Sequence, residues 1–136
     1  MKKHYTVSAA IIIENKKILC VQRNKGKYDY ISYKYEFPGG KLKLDENEED
    51  ALRREISEEL NLEIDVIEKF LVVTHEYLDF NLTMHSYLCK ANTEQLDLKE
   101  HIDAKWLHKD ELIELDWAAA DLPIVSKLIN TNHELF

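Results

Sequence analysis

Gly40-Lys41-Leu42-Lys43-Leu44-Asp45-Glu46, then seven residues, then Arg54-Glu55-Ile56-Ser57-Glu58-Glu59-Leu60-Asn61-Leu62 is the stretch whose reading decides the fold. No Gly or Pro interrupts Asp45 to Leu60, and acidic residues crowd its first turns. Ala51, Leu52, Ile56 and Leu60 recur at helical spacing, so this segment is expected to be an amphipathic helix. Glu55 stands three and four residues before Glu58 and Glu59, which puts all three carboxylates on one face. Such a like-charge cluster destabilises a bare helix. Either it is a solvated face balanced by Arg53 and Arg54, or it holds a hard divalent cation such as Mg²⁺ or Mn²⁺.

Just upstream lies Pro38-Gly39-Gly40, which holds three of the chain's five Gly and Pro residues. A turn of this kind lets backbone approach a ligand without a Cβ in the way, and its carbonyls and N–H groups can serve a metal or a phosphate. Before it, Tyr5 to Ile13 and Lys17 to Arg23 read as two strands joined by a turn at Glu14-Asn15-Lys16. In the second, Ile18 and Cys20 share one face, Leu19 and Val21 the other. Tyr33, Tyr35 and Phe37 alternate at strand spacing. After the helix, Leu62 to Tyr77, Leu82 to Ala91 and Ala104 to Leu107 are expected strands. Lys109 to Leu115 is expected to form a helical turn, and Asp121 to Ile129 a closing helix with Asp121 as its cap and Pro123 in the first turn. The fold class is α/β (α+β), one domain over residues 1–136, in keeping with a chain of 136 residues.

The formal net charge of -8 argues against a general nucleic-acid binder. The charge is unevenly placed: residues 1–43 carry 10 Lys/Arg against 3 Asp/Glu, and the rest 8 against 23. A basic segment followed by an acidic one suits a site for a polyanion together with a divalent metal, as well as two solvated faces of opposite sign. No apolar run reaches membrane-spanning length, and the first residues lack the apolar core of a signal peptide. Cys20 and Cys89 sit in apolar stretches as expected free thiols, so the expected location is cytoplasmic.

The long pattern resembles the Nudix box: Gly, five residues, Glu, seven residues, Arg-Glu-apolar-any-Glu-Glu-any-Gly-apolar. Every fixed position matches except the last glycine, here Asn61, the usual substitute where a left-handed residue ends a helix. Ala9 to Ile13, Ile18 to Arg23 and Glu36-Phe37-Pro38-Gly39-Gly40-Lys41 resemble the opening of MutT-type members. Glu100-His101 with Trp106, and Ala120-Asp121-Leu122-Pro123, resemble their later segments.

This resemblance implies a Nudix α/β/α sandwich around a mixed sheet. It also implies Mg²⁺-dependent hydrolysis of a nucleoside triphosphate to monophosphate and pyrophosphate, with Mn²⁺ as the other candidate ion. The substrates implied are CTP- or dCTP-like nucleotides or an oxidised purine such as 8-oxo-dGTP. The alternatives are a Nudix enzyme acting on nucleotide sugars or dinucleotides, and a nucleotide-sensing module without catalysis. Carried over residue by residue, the implied metal ligands are Gly39 (through its carbonyl), Glu55, Glu58 and Glu59. The implied catalytic carboxylates are Glu55, Glu58 and Glu100. Arg23, Glu36, Phe37, Pro38, Gly39 and Asp121 are implied substrate contacts. Gly40, Glu46 and Arg54 hold the motif together. Phe37 is either a stacking surface for the base or strand core, and Asp121 either a base contact or a helix cap. The expected partner is a small nucleotide, with no stable nucleic acid and no membrane, for a monomer or homodimer.

Overall fold

A computed structural model describes residues 2–136. Its chain order is β1 (Lys3–Glu14), β2 (Lys17–Gln22), β3 (Tyr35–Glu36), β4 (Gly39–Lys41), α1 (Glu48–Leu60), β5 (Asp65–Glu76), β6 (Phe80–Lys90), β7 (Asp103–Leu107) and α2 (Leu122–Ile129). A 3-10 segment, Lys109–Glu114, precedes α2. The sheet runs β3-β2-β1-β6-β5, with β4 pairing β1 and β7 pairing β2. β1 and β6 are parallel over Lys3 to Ile13. The other pairings are antiparallel, so the sheet is mixed.

Strand side chains alternate between the two faces of a sheet, and that alternation builds two cores here. Ala9, Ile11, Ile13, Ile18 and Cys20 pack beneath Ile124, Val125 and Leu128 of α2. Ala10, Ile12, Leu19 and Val21 pack against Leu52, Ile56 and Leu60 of α1. The two helices therefore cover opposite faces, as the expected α/β/α sandwich requires. Cys20 and Cys89 are buried free thiols, one in each core. Among the described residues, no helix is long and apolar enough to cross a membrane.

Local chemistry moves several expected boundaries. α1 starts at Glu48 and not at Asp45, because Asp45 has a left-handed backbone (φ 64°) and the Asn47 side chain caps the helix by accepting from the Asp50 N–H. Tyr33 is not part of a strand. Its φ of 64° turns it out of line, half exposed, and leaves β3 only Tyr35 and Glu36. β5 begins at Asp65, three residues after the expected Leu62, and has two register shifts against β6.

Asn61 ends α1 with φ 52° and ψ 44°, and its N–H donates to the Ser57 carbonyl. This left-handed cap is what the motif's glycine otherwise supplies. Asn61→Ala is expected to lower unfolding free energy by about 1–2 kcal/mol in urea titrations, whereas Asn61→Gly stays within about 1 kcal/mol of the original.

Candidate active site

The site grows from one guanidinium. Arg54 lies on the face of α1 that looks toward the loop after β4. Its Nε and Nη2 donate to the two oxygens of Glu46 at 2.8 and 2.9 Å, the bidentate geometry in which an Arg–carboxylate pair is strongest. Nη2 also donates to the Lys41 carbonyl at 3.2 Å, and Nη1 to Glu55 at 2.9 Å and Glu58 at 3.3 Å. Glu46 accepts a further bond from the Lys43 N–H, and these bonds pull its carboxyl down to about 2. Glu46 and Arg54 thus hold the loop to the helix, in the roles the motif implies for them.

Gly40 explains itself by what lies above it. A Cβ there would fall within 2.5 Å of Glu55 Oε2, so glycine is the residue that lets the Glu55 carboxylate lie on the β4 backbone. A Cβ on Gly39 would run into the Ser8 carbonyl across the β1–β4 pairing. Pro38 is not among the cleft-lining residues described below; its carbonyl instead accepts from the Ala10 N–H at 2.8 Å.

Glu59 is the chemically unusual group. Burial, then a hydrogen bond and charge from Glu55, then the charges of Glu100 and Glu36 push its carboxyl up to about 9. Its Oε2 is buried without a partner. Among the described residues, no three His, Cys, Asp or Glu side chains are gathered as a metal cage. Arg54 holds Glu55 and Glu58 from one side, and Glu58 is more than half exposed. Glu59 feels the adjacent Glu55, and like charges so close disfavour its ionised form. An unpartnered buried oxygen within an all-oxygen donor set fits a hard divalent cation. Glu100 is brought close by its loop: the Asp97 and Lys99 N–H groups donate to the Leu60 and Glu59 carbonyls left free at the end of α1.

Glu59, Gly39 and Gly40 line a cleft of about 550 Å³. Tyr5, Tyr28, Phe80, Leu82 and Met84 make much of the rest apolar, and Arg23, Lys25, Lys27 and Lys41 stand around it. Phe37 belongs to both worlds. It lines the cleft, yet it is 3% exposed and stacks on Trp117 with ring centroids 4.7 Å apart.

Asp121 also lines the cleft and is 5% exposed. Its side chain does not cap α2; Oδ1 instead accepts from the Phe37 N–H at 3.1 Å. Desolvation, then the charge of Glu36, push its carboxyl well above the usual range. Tyr77 fixes the approach to it, since its hydroxyl accepts from the Ala120 N–H. Tyr28, Tyr77 and His101 all line the cleft without having been singled out from the sequence. For His101 the signal was present in its place beside Glu100, while nothing local marks the two tyrosines.

Comparison with known proteins agrees with this geometry. A family profile described as NUDIX domain matches residues 2–128. The chain is 32% identical over 123 residues to a CTP pyrophosphohydrolase of Escherichia coli (strain K12), covering 90% of each chain. It is 28% identical over 128 residues to an 8-oxo-dGTP diphosphatase of the same strain, covering 94% of this chain and 98% of the other. A solution structure of a MutT protein from methicillin-resistant Staphylococcus aureus 252 superposes with TM-score 0.74 at 40% identity, over 96% of this chain and 98% of that one.

The raised Glu59 carboxyl gives a pH signature in metal-free protein. Its folded-state value lies above the unfolded one, so its contribution to stability is fully present below the unfolded value and is lost as pH rises from about 4.5 toward 9. Glu59→Gln, whose amide carries no charge to desolvate beside Glu55, is expected to melt about 3 °C or more above the original chain at pH 8, and level with it at pH 4. Thermal melts across that range check this. Adding Mn²⁺ at pH 8 should raise the melting point of the original chain and leave that of Glu59→Gln nearly unchanged.

Proposed function

The chain belongs to the NUDIX family, and on that premise we propose that it hydrolyses a nucleoside triphosphate to the monophosphate and pyrophosphate in the cytoplasmic nucleotide pool. The substrates we assign are CTP and dCTP, or an oxidised guanine nucleotide such as 8-oxo-dGTP. One observation carries the reading: the buried, unpartnered Glu59 oxygen beside Glu55 lines the same cleft as the aromatic Tyr5, Tyr28 and Phe80 and the basic Arg23, Lys25, Lys27 and Lys41. A nucleoside triphosphate has the matching parts, anionic phosphates and a flat base.

Nudix hydrolases generally use divalent metal ions, and Glu55, Glu59 and the Gly39 carbonyl would hold Mg²⁺ here, with Glu58 and Glu100 as further carboxylates. When bound, such an ion neutralises phosphate charge and lowers the pKa of water. Arg54 keeps Glu55 over Gly40 and so fixes the direction of its lone pairs. Glu100 is exposed at the cleft, tied to α1 through its loop, and is our candidate for taking a proton from water. Arg23, Lys25, Lys27 and Lys41 give the cleft the positive charge that a polyphosphate requires.

For the base we assign Asp121, which in its protonated form presents one donor and one acceptor. Cytosine offers the complement through its amino group and N3, and guanine through N1–H and O6. The two free buried thiols support the cytoplasmic location.

Two experiments test the proposal. Pyrophosphate release with Mg²⁺ across CTP, dCTP, the other common triphosphates and 8-oxo-dGTP is expected to favour the cytosine or oxidised-guanine members. Preferential cleavage of ADP-ribose or dinucleotides in the same screen rejects it. Glu59→Gln is expected to lower kcat by about a thousandfold or more while remaining folded. Asp121→Asn, which cannot switch between donor and acceptor on one oxygen, is expected to change the kcat/KM ratio between CTP and 8-oxo-dGTP by about tenfold. An unchanged ratio removes Asp121 from base reading.

A further inference from the structure

We propose that His101 is a positioning residue. With Arg23 it fixes the Glu36 carboxylate in the cleft that Asp121 and Glu59 also line, where Glu36 accepts a hydrogen bond from the bound nucleotide. This rests on the triphosphate reading and deepens it, because it names parts of the cleft that set which nucleotide is accepted.

Glu36 ends β3, paired with Val21 of β2. Both of its oxygens are held. Arg23 Nη1 lies 3.1 Å from Oε1, and His101 Nε2 lies 3.0 Å from Oε2. A carboxylate only accepts, so Nε2 is the protonated ring nitrogen. Pinned at both oxygens, the carboxylate cannot rotate, and each oxygen keeps lone-pair capacity for a further donor. The two holders come from distant parts of the chain: Arg23 directly follows β2, and His101 closes the loop before β7. The Ile102 N–H donates to the Gln22 carbonyl at 3.0 Å, which ties the residue after His101 to the residue before Arg23. Three segments of backbone thus converge on one side chain.

The arrangement is costly if its purpose is packing alone. The His101 side chain is 6% exposed, and its Nδ1 is buried with no partner. A buried, half-satisfied imidazole beside an ion pair is poorer for stability than apolar residues of the same volume. What it provides is a carboxylate of fixed direction. Arg23, Glu36 and His101 all line the cleft, and the charge of Glu36 is felt by both Asp121 and Glu59. The sugar hydroxyls and base amino group of a nucleotide bound in this cleft are donors that Glu36 can accept.

The test uses His101→Ala, His101→Gln, Glu36→Gln and the double variant His101→Ala/Glu36→Gln. The Gln amide nitrogen reaches roughly the position of Nε2 and can donate to Glu36. Two readouts are taken: KM and kcat for the preferred triphosphate and a poor one, and calorimetric binding of the matching nucleoside monophosphate, which involves no turnover. His101→Ala is expected to raise KM and the monophosphate Kd about tenfold with kcat changed by less than about threefold, and to narrow discrimination between the two triphosphates. His101→Gln is expected to restore most of that affinity. Glu36→Gln should match His101→Ala, and the double variant should be no worse than Glu36→Gln alone, as for residues acting as one unit.

Unchanged monophosphate binding in His101→Ala overturns the proposal, as does His101→Gln binding no better than His101→Ala, or multiplying effects in the double variant. If His101→Ala does not fold, Glu36→Gln and His101→Gln carry the decision: weakened binding in the first with near-original binding in the second supports it, and any other pattern overturns it. Should the original chain cleave no triphosphate at all, the functional reading fails separately, and monophosphate binding still decides the role of His101.

Discussion

Arg54 uses all five of its N–H donors, and the rest of the site is arranged around them. Two go to Glu46 and one to the Lys41 carbonyl, so the loop between β4 and α1 closes at a fixed distance from the helix. The remaining two go to Glu55 and Glu58, and hold two carboxylates in place on a helix face that would otherwise repel itself. This geometry depends on Gly40, because any larger residue would occupy the space of the Glu55 carboxylate. Lysine at position 54 offers a point charge and three donors, and cannot bridge loop, helix and carboxylates at once.

The carboxyl groups of the cleft are sorted by environment into different states. Glu46, well hydrogen-bonded to Arg54, is held low, while Glu59, buried beside Glu55, is held high. Asp121 is raised by burial with Glu36 near it. Groups of one chemical type thereby supply an ion-pair partner, a cation-ready oxygen and a carboxyl raised by burial. The fold makes this possible, because β3 carries Glu36 and β4 carries Gly39 while Glu59 of α1 and Asp121, just before α2, line the same cleft.

Most of the elements were legible from periodicity. The alternation in β2 assigns its faces correctly, Ile18 and Cys20 to one core and Leu19 and Val21 to the other, since side-chain direction in a strand has period two. Boundaries failed where a single polar residue redirected the backbone. Asn47 took the cap and moved the start of α1, and Tyr33 adopted a left-handed turn that alternation cannot reveal. Asp121 was open between cap and cleft contact. The Phe37 N–H, 84 positions away in the chain, captured its carboxyl and excluded the cap.

By itself the sequence determined the helix that carries Glu55, Glu58 and Glu59, the glycine turn before it, the left-handed role of Asn61 and the opposition of two apolar faces. These follow from spacing within one segment, where helix and strand geometry convert residue offsets directly into direction. Only the tertiary structure decided which carboxyls are raised and which lowered, that Glu58 turns outward, that Pro38 supports β1, and that His101 and Arg23 meet on Glu36. Those outcomes depend on desolvation and on contacts between residues up to 84 positions apart, which arise when the sheet closes and which no local pattern encodes.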